Sequence, residues 1–169
     1  SCGRATGTRV SVVADGVVYA ICDGTNFKLV TKSTALDAFY SATRAVGSAN
    51  GLVNNVANQI VSLALPAGDF MVWGQIEVTL DTTGVSFTFI VGKISTTSLN
   101  VDDAQSGYTS ISFGGGLNLG ILGVTQASYA VPTVPLTLTV PTTIYLNMKA
   151  GFSGGASPAG YGGLFARSV

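Results

Sequence analysis

The side chains that could carry out chemistry are few and scattered in this sequence. It contains no histidine, a single glutamate, Glu77, and two cysteines, Cys2 and Cys22. Without histidine, the Ser-His and Cys-His arrangements that activate a nucleophile cannot form, and most zinc sites lose one of their ligand types. We therefore expect a protein that is not an enzyme and that holds no cofactor and no metal ion.

One pair of carboxylates could take part in glycoside hydrolysis or in metal binding, and it lies in the stretch NVDDAQSG. Adjacent strand residues point to opposite faces, so Asp102 and Asp103 do not give the facing separation of ~5 Å or ~6.5–9.5 Å that glycoside hydrolysis needs. The simpler interpretation of the pair is a solvated turn. The alternative is a calcium site, which would need backbone carbonyls as well, because calcium takes ~6–8 oxygen ligands. We interpret Asn100, Asp102, Asp103, Gln105 and Tyr108 as a receptor-facing loop.

The two cysteines are too few for a disulfide framework. One free thiol and one buried, small apolar side chain is the simpler interpretation. A bridge between Cys2 and Cys22, within one chain or between two chains, is the alternative.

Length, composition and charge indicate one main all-β domain that associates with other molecules. The 169 residues include 16 Ser, 19 Thr and 22 Gly, which are typical of strands and tight turns when they accompany β-branched and aromatic residues. Charged residues make up 9% of the chain, against roughly 25% in an average domain, and the net charge is zero. The chain could not neutralise a run of phosphates, so we expect no nucleic-acid partner. With no net charge, copies of the chain do not repel one another electrostatically, which favours association. The sequence has no apolar run of ~18–20 residues, so we expect no membrane insertion.

The order of elements predicts three parts. Residues 1–31 hold two Asp-Gly pairs between short β-type runs, which favours a small β-meander. Residues 32–54 are predicted to be a helix or linker, with one short helix candidate over 33–46, where apolar residues follow a 3.6-residue period. Residues 55–169 alternate between strands and turns, which predicts an antiparallel, jelly-roll-like β-sandwich. The predicted strands are 60–65, 70–79, 85–94, 108–113, 119–124, 136–140, 143–152 and 161–169, and the predicted exposed loops are 95–107, 114–118, 125–135 and 153–160.

The only tryptophan stands on the outward side of a predicted strand. Phe70, Val72 and Ile76 alternate toward the core, so Met71 and Trp73 point away from it. Burying such a side chain contributes ~1.5–3 kcal/mol, and aromatic residues commonly anchor interfaces. We expect Trp73 in a subunit interface; cover by a loop of the same chain and a platform for sugar stacking are the alternatives.

Four strings in residues 55–169 resemble the C-terminal domain of phage tail-fibre and other virion-appendage proteins. They are VSLALPAGDFMVWGQIEVT, FIVGKISTTS, PLTLTVPTTIYLNMKAGFSGG and AGYGGLFARSV. Those domains are similar to the trimeric jelly rolls of complement and tumour-necrosis-factor type. The opening GTRVSVVADGVVYAICDGTNF resembles the small β modules that precede them.

The matching residues are structural in that family, where they form turns, core and the terminal strand. The match includes Pro66, Gly68, Asp69, Gly74, Tyr145, Leu146, Phe152, Tyr161, Gly162, Ala166, Arg167 and Val169. The sequence departs from the pattern at Phe70, Trp73, Phe165 and Ser168. Met71, Trp73 and Phe165 thereby add apolar area to faces that the pattern leaves polar, and we expect these three residues to form the interface.

The resemblance implies a structural protein of a phage virion, located at the particle surface or tail. It would be a homotrimeric tail-fibre or appendage component whose partners are other copies of itself, other virion proteins and a host-surface glycan or protein. The alternatives are a capsid or tail decoration protein, a polysaccharide-degrading tail enzyme, and a secreted trimeric ligand of complement type.

Overall fold

The computed structural model describes residues 18–22, 27–31, 38–79, 85–101, 108–118, 126–154 and 158–169. The chain divides into two compact units, Ser1–Ala38 and Phe39–Val169. The described strands are β1 (Val18–Cys22), β2 (Phe27–Thr31), β3 (Phe39–Arg44), β4 (Asn50–Gly51), β5 (Ala57–Leu65), β6 (Gly68–Thr79), β7 (Ser86–Ser95), β8 (Tyr108–Asn118), β9 (Gln126–Leu138), β10 (Thr142–Ser153) and β11 (Ala159–Ser168), with a 3₁₀ turn at Val46–Ser48. The described residues contain no helix that is both long and apolar enough to cross a membrane.

The first unit contains an antiparallel hairpin. β1 pairs with β2 in a register that joins Val18 to Thr31 and Cys22 to Phe27. The connection between them carries the Asp23-Gly24 pair, a sequence that suits a tight turn because both residues tolerate positive φ. The remaining strand of the expected meander, before the Asp15-Gly16 pair, lies outside the described residues.

The second unit is a sandwich of two antiparallel sheets. Sheet I has the order β5-β10-β7-β8, and sheet II has the order β3-β11-β6-β9, with β4 also paired to β11. At most connections the chain passes from one sheet to the other, as it does in jelly-roll sandwiches. The all-β, jelly-roll-like sandwich expected from the sequence is confirmed.

Alternation along the strands builds the core between the two sheets. On β6, Phe70, Val72, Ile76 and Val78 are buried while their neighbours face outward. The facing strand of sheet I contributes Ile144, Leu146, Met148 and Ala150, all buried in the same core. Each of the larger side chains in this set contributes ~1.5–3 kcal/mol on burial, so the core determines which residues of sheet II lie on its outer face.

The helix candidate over 33–46 is wrong where the structure describes it. Phe39–Arg44 is a strand paired with β11, from Arg167↔Phe39 to Gly162↔Arg44. The segment therefore extends sheet II, and the compact unit begins at Phe39 instead of at residue 55. An isolated short helix is marginal in water, whereas a strand at this position satisfies the backbone of β11 on its second edge.

Two expected loops are strands. Residues 114–118 belong to β8, and most of 125–135 belongs to β9. β9 contains Pro132 and Pro135, which argue against a central strand, but it lies at the edge of sheet II, where a missing backbone N–H is tolerated. The predicted strand 119–124 lies outside the described residues.

Candidate functional site

An apolar cluster covers part of the outer face of sheet II; we call Phe39, Met71, Trp73 and Phe165 the aromatic patch. The register sets Phe165 of β11 directly opposite Trp73 of β6, so both project from the same face. Their rings are stacked, with centroids 5.9 Å apart and planes at 24°. Of the three interface residues expected from the sequence, Trp73 and Phe165 are thus in ring contact, and Met71 lies two positions before Trp73 on the same face of β6.

Phe39 completes the patch from the edge strand β3. Its ring centroid lies 6.0 Å from that of Trp73 and 6.3 Å from that of Phe165. Phe39 is 59% exposed and Met71 is 38% exposed, while Trp73 and Phe165 are half-buried by their neighbours. The helical period over 33–46 does not single out Phe39 as an interface residue. The signal that places it outward is strand alternation with Tyr40 and Ala42, which pack on the core.

The same face of sheet II becomes polar away from the patch. Gln75 donates from Nε2 to Glu77 Oε1 at 2.9 Å and to Ser128 Oγ at 2.6 Å. Burial, and then the hydrogen bond and negative charge of Glu77, raise the pKa of the Tyr161 hydroxyl, which therefore stays neutral and donates to that carboxylate. This end of the face is a hydrogen-bonded network of the chain's own side chains.

Asn100 lies in a short segment, residues 96–101, that folds onto sheet I; we call it the anchored loop. The buried Asn147 side chain donates to the carbonyls of Thr97 and Asn100 at 3.1 and 3.2 Å and accepts from the Leu99 N–H at 3.1 Å. Asn100 Oδ1 accepts from Nζ of Lys93, which is 4% exposed, at 3.4 Å. A single asparagine therefore satisfies three backbone groups and fixes the loop on the sheet.

The other candidate residues are placed only in part. Tyr108 begins β8 and pairs with Lys93, while Asp102, Asp103 and Gln105 lie outside the described residues. Cys22 ends β1, and Cys2 lies outside the described residues, so their pairing stays a prediction. The same holds for calcium binding at the two aspartates.

The described residues offer no catalytic or metal-binding constellation. None of them form a group of three or more His, Cys, Asp or Glu side chains that could hold a metal ion. The acidic side chains within the described ranges are Asp69 and Glu77, eight positions apart on β6 and therefore roughly 26 Å from each other at ~3.3 Å per residue. Paired-carboxylate hydrolysis needs less than about 10 Å.

Comparison with known proteins finds a likeness only among solved structures. No protein-family model matches the chain, and no curated protein matches it. A structure of infectious bursal disease virus, Gx strain, is similar with a TM-score of 0.46 and 14% identity, covering 92% of this chain and 37% of the viral chain. The VP2 subviral particle of infectious bursal disease virus is similar with a TM-score of 0.46 and 15% identity, covering 91% of this chain and 38% of the viral chain. The chain therefore spans less than two fifths of the length of the viral-particle proteins that it resembles.

Proposed function

We propose that this chain is a non-catalytic structural subunit of a virion, a tail-fibre or appendage component that assembles as a homotrimer through the aromatic patch. The observation that carries the proposal is the outward cluster of Phe39, Met71, Trp73 and Phe165 on a sheet face. Aromatic residues and methionine are enriched in the cores of interfaces, and a contiguous exposed apolar patch marks an interaction surface.

The charges of the chain favour a second copy of it as the partner that covers the aromatic patch. The chain has no net charge, so electrostatic repulsion between copies does not oppose their approach. The outer face of sheet II is balanced in the same way, with Arg167 beside the patch and Glu77 toward its other end. Covering a large apolar side chain contributes ~1.5–3 kcal/mol, and each of three copies would contribute a patch.

The virion role and the receptor-facing surface rest on the sequence resemblance to phage appendage domains and on the anchored loop. Binding residues are commonly carried by loops that a rigid scaffold positions. Asn147 fixes residues 97–100 on sheet I, and Ser98 Oγ donates to Gln59 Oε1 at 2.8 Å. The connection toward Tyr108 therefore starts from a fixed base, and we assign host recognition to it.

Native mass spectrometry and sedimentation velocity of the full chain test the assembly. We expect a trimer at micromolar concentration, and we expect the double variant Phe39→Ser, Met71→Ser to shift it toward monomer. Val53→Ser is the matched control, because Val53 is 59% exposed like Phe39 but lies outside the patch. A monomeric wild-type chain, or equal dissociation by the control, would contradict the proposal.

The position in the particle separates an appendage from a decoration protein. A fibre or appendage subunit would be present in a handful of trimers per virion, whereas a decoration protein would be present in hundreds of copies. Quantitative mass spectrometry of purified particles gives the copy number directly.

A further inference from the structure

The open side of the sandwich, where β3 and β5 lie side by side, contains a groove of about 380 Å³; we call it the edge groove. β3 and β5 are edge strands of different sheets, so no backbone ladder closes the space between them. Most of its lining residues are polar, namely Thr43, Arg44, Ser48, Gln59 and Ser62. Its volume lies within the ~300–1,000 Å³ that is typical of small-molecule sites.

Hydrogen bonds to the chain itself hold the Arg44 guanidinium in the edge groove. Nε donates to the Ile60 carbonyl at 2.6 Å, and Nη1 donates to the Ser48 carbonyl at 3.2 Å and to Asn50 Oδ1 at 2.8 Å. Asn50 in turn donates from Nδ2 to the Gln59 carbonyl at 2.7 Å. Among the described residues, these bonds account for the Nε and Nη1 donors of a group that has five N–H bonds, and the two Nη2 donors remain for a ligand.

The described lining of the groove gives Arg44 no acidic neighbour. Within the described residues, no aspartate or glutamate lines the edge groove. A guanidinium keeps its charge at any physiological pH, and a half-buried cation is screened less than an exposed one. An anionic ligand would therefore gain charge-assisted hydrogen bonds, which are about twice as strong as neutral ones.

The remaining lining groups suit a ligand that is rich in hydroxyls. Ser62 has an exposed hydroxyl that can donate and accept, and Gln59 adds a side-chain amide. The Ser48 hydroxyl donates to the Ala45 carbonyl and keeps its oxygen as an acceptor. Gln59 Oε1 accepts from Ser98, so the anchored loop lies beside one end of the edge groove.

We propose that the edge groove binds a sugar that carries a carboxylate, with Arg44 contacting the carboxylate and the neutral side chains contacting the hydroxyls. An acidic peptide would supply the carboxylate but fewer hydroxyls for Ser62, Ser48 and the Gln59 amide, so these neutral groups favour the sugar. The role of the groove as part of a receptor site rests on the proposed function. Sugar binding by the chain does not rest on the proposed function, because it is independent of trimer formation.

Titration of the full chain with D-glucuronate, followed by NMR of the backbone amides, tests the assignment. D-glucose is the matched control, because it has a hydroxymethyl group in place of the carboxylate. We expect glucuronate to shift amides of 42–48 and 59–62 in a saturable way at millimolar concentration, and glucose to shift them at least tenfold more weakly. Equal effects of the two sugars, equal effects of acetate and glucuronate, or binding of an acidic peptide alone would overturn the proposal.

Two variants tie the effect to the groove. Arg44→Gln should weaken glucuronate binding about tenfold or more, since it removes a charged donor. Arg44 also holds the edge of β5, so Ser62→Tyr is the second variant: Ser62 is exposed and lines the groove, and a larger side chain there should narrow it. Ala64→Tyr, exposed on the same strand outside the groove, should bind as the wild type does. Unchanged binding by a folded Ser62→Tyr chain would overturn the site, whatever the oligomeric state proves to be.

Discussion

A single glycine controls how closely the terminal strand β11 approaches β6. Gly162 has φ +148°, and a Cβ at this position would collide with the carbonyl oxygen of Gln75 on the neighbouring strand. A side chain therefore adds both backbone strain and a clash with main chain, which cannot move without breaking the ladder. The glycines of the sequence AGYGG are consequently not interchangeable.

We expect Gly162→Ala to lower the free energy of unfolding by about 1–3 kcal/mol, measured by chemical denaturation. Gly51→Ala is the control, because nothing lies within 4 Å of a Cβ built there. It should change stability by less than about 0.5 kcal/mol, as is usual for surface substitutions. Equal losses in the two variants would show that Gly162 has no special role.

At the level of single residues, the sequence predicts which side of a strand a residue faces, because this depends on alternation. It does not predict contacts between residues that are far apart in the chain. Met71 and Trp73 were identifiable because their strand is unambiguous, and their outward position is observed. Asn147 stands in a strand pattern like any polar residue, and its three bonds to the anchored loop involve residues about 50 positions away. No pattern in the neighbouring sequence predicts such a contact.

Among the elements, β3 shows how one segment can fit two periods. Phe39, Tyr40 and Thr43 match a helical face, yet strand alternation separates Tyr40 from Phe39 equally well. Tertiary contacts favour the strand. β3 supplies hydrogen-bond partners to the backbone of β11, and Tyr40 packs edge-on against Phe70 with ring centroids 5.8 Å apart. Such tertiary terms outweigh a weak local preference.

If β3 is an integral part of sheet II, its inward side chains should contribute to global stability. We expect Tyr40→Ala to cost about 1–3 kcal/mol of unfolding free energy, through lost burial and the lost aromatic contact. Ser41→Ala, on the exposed side of the same strand, should be nearly neutral. Calorimetry or urea denaturation checks both; a neutral Tyr40→Ala would mean that the segment is a loosely attached linker.

For the whole molecule, the scarcity of charge sets how the proposed assembly should respond to salt. The chain carries 8 basic and 8 acidic residues in 169, and the aromatic patch itself contains no ionisable side chain. Contacts between apolar faces are not screened by ions, whereas exposed ion pairs weaken once the Debye length shortens from ~10 Å at 0.1 M to ~3 Å at 1 M. Excluded salts such as sulfate strengthen apolar burial.

We therefore expect the trimer dissociation constant to change less than about threefold between ~0.1 M and ~1 M sodium chloride, and to fall in sodium sulfate. Analytical ultracentrifugation across a dilution series measures both. Phe39→Lys is the informative variant, because in the proposed trimer it would bring like charges into the interface: dissociation is expected at low salt, with partial recovery at high salt. A wild-type trimer that falls apart in sodium chloride would indicate an interface built on ion pairs, at some surface other than the aromatic patch.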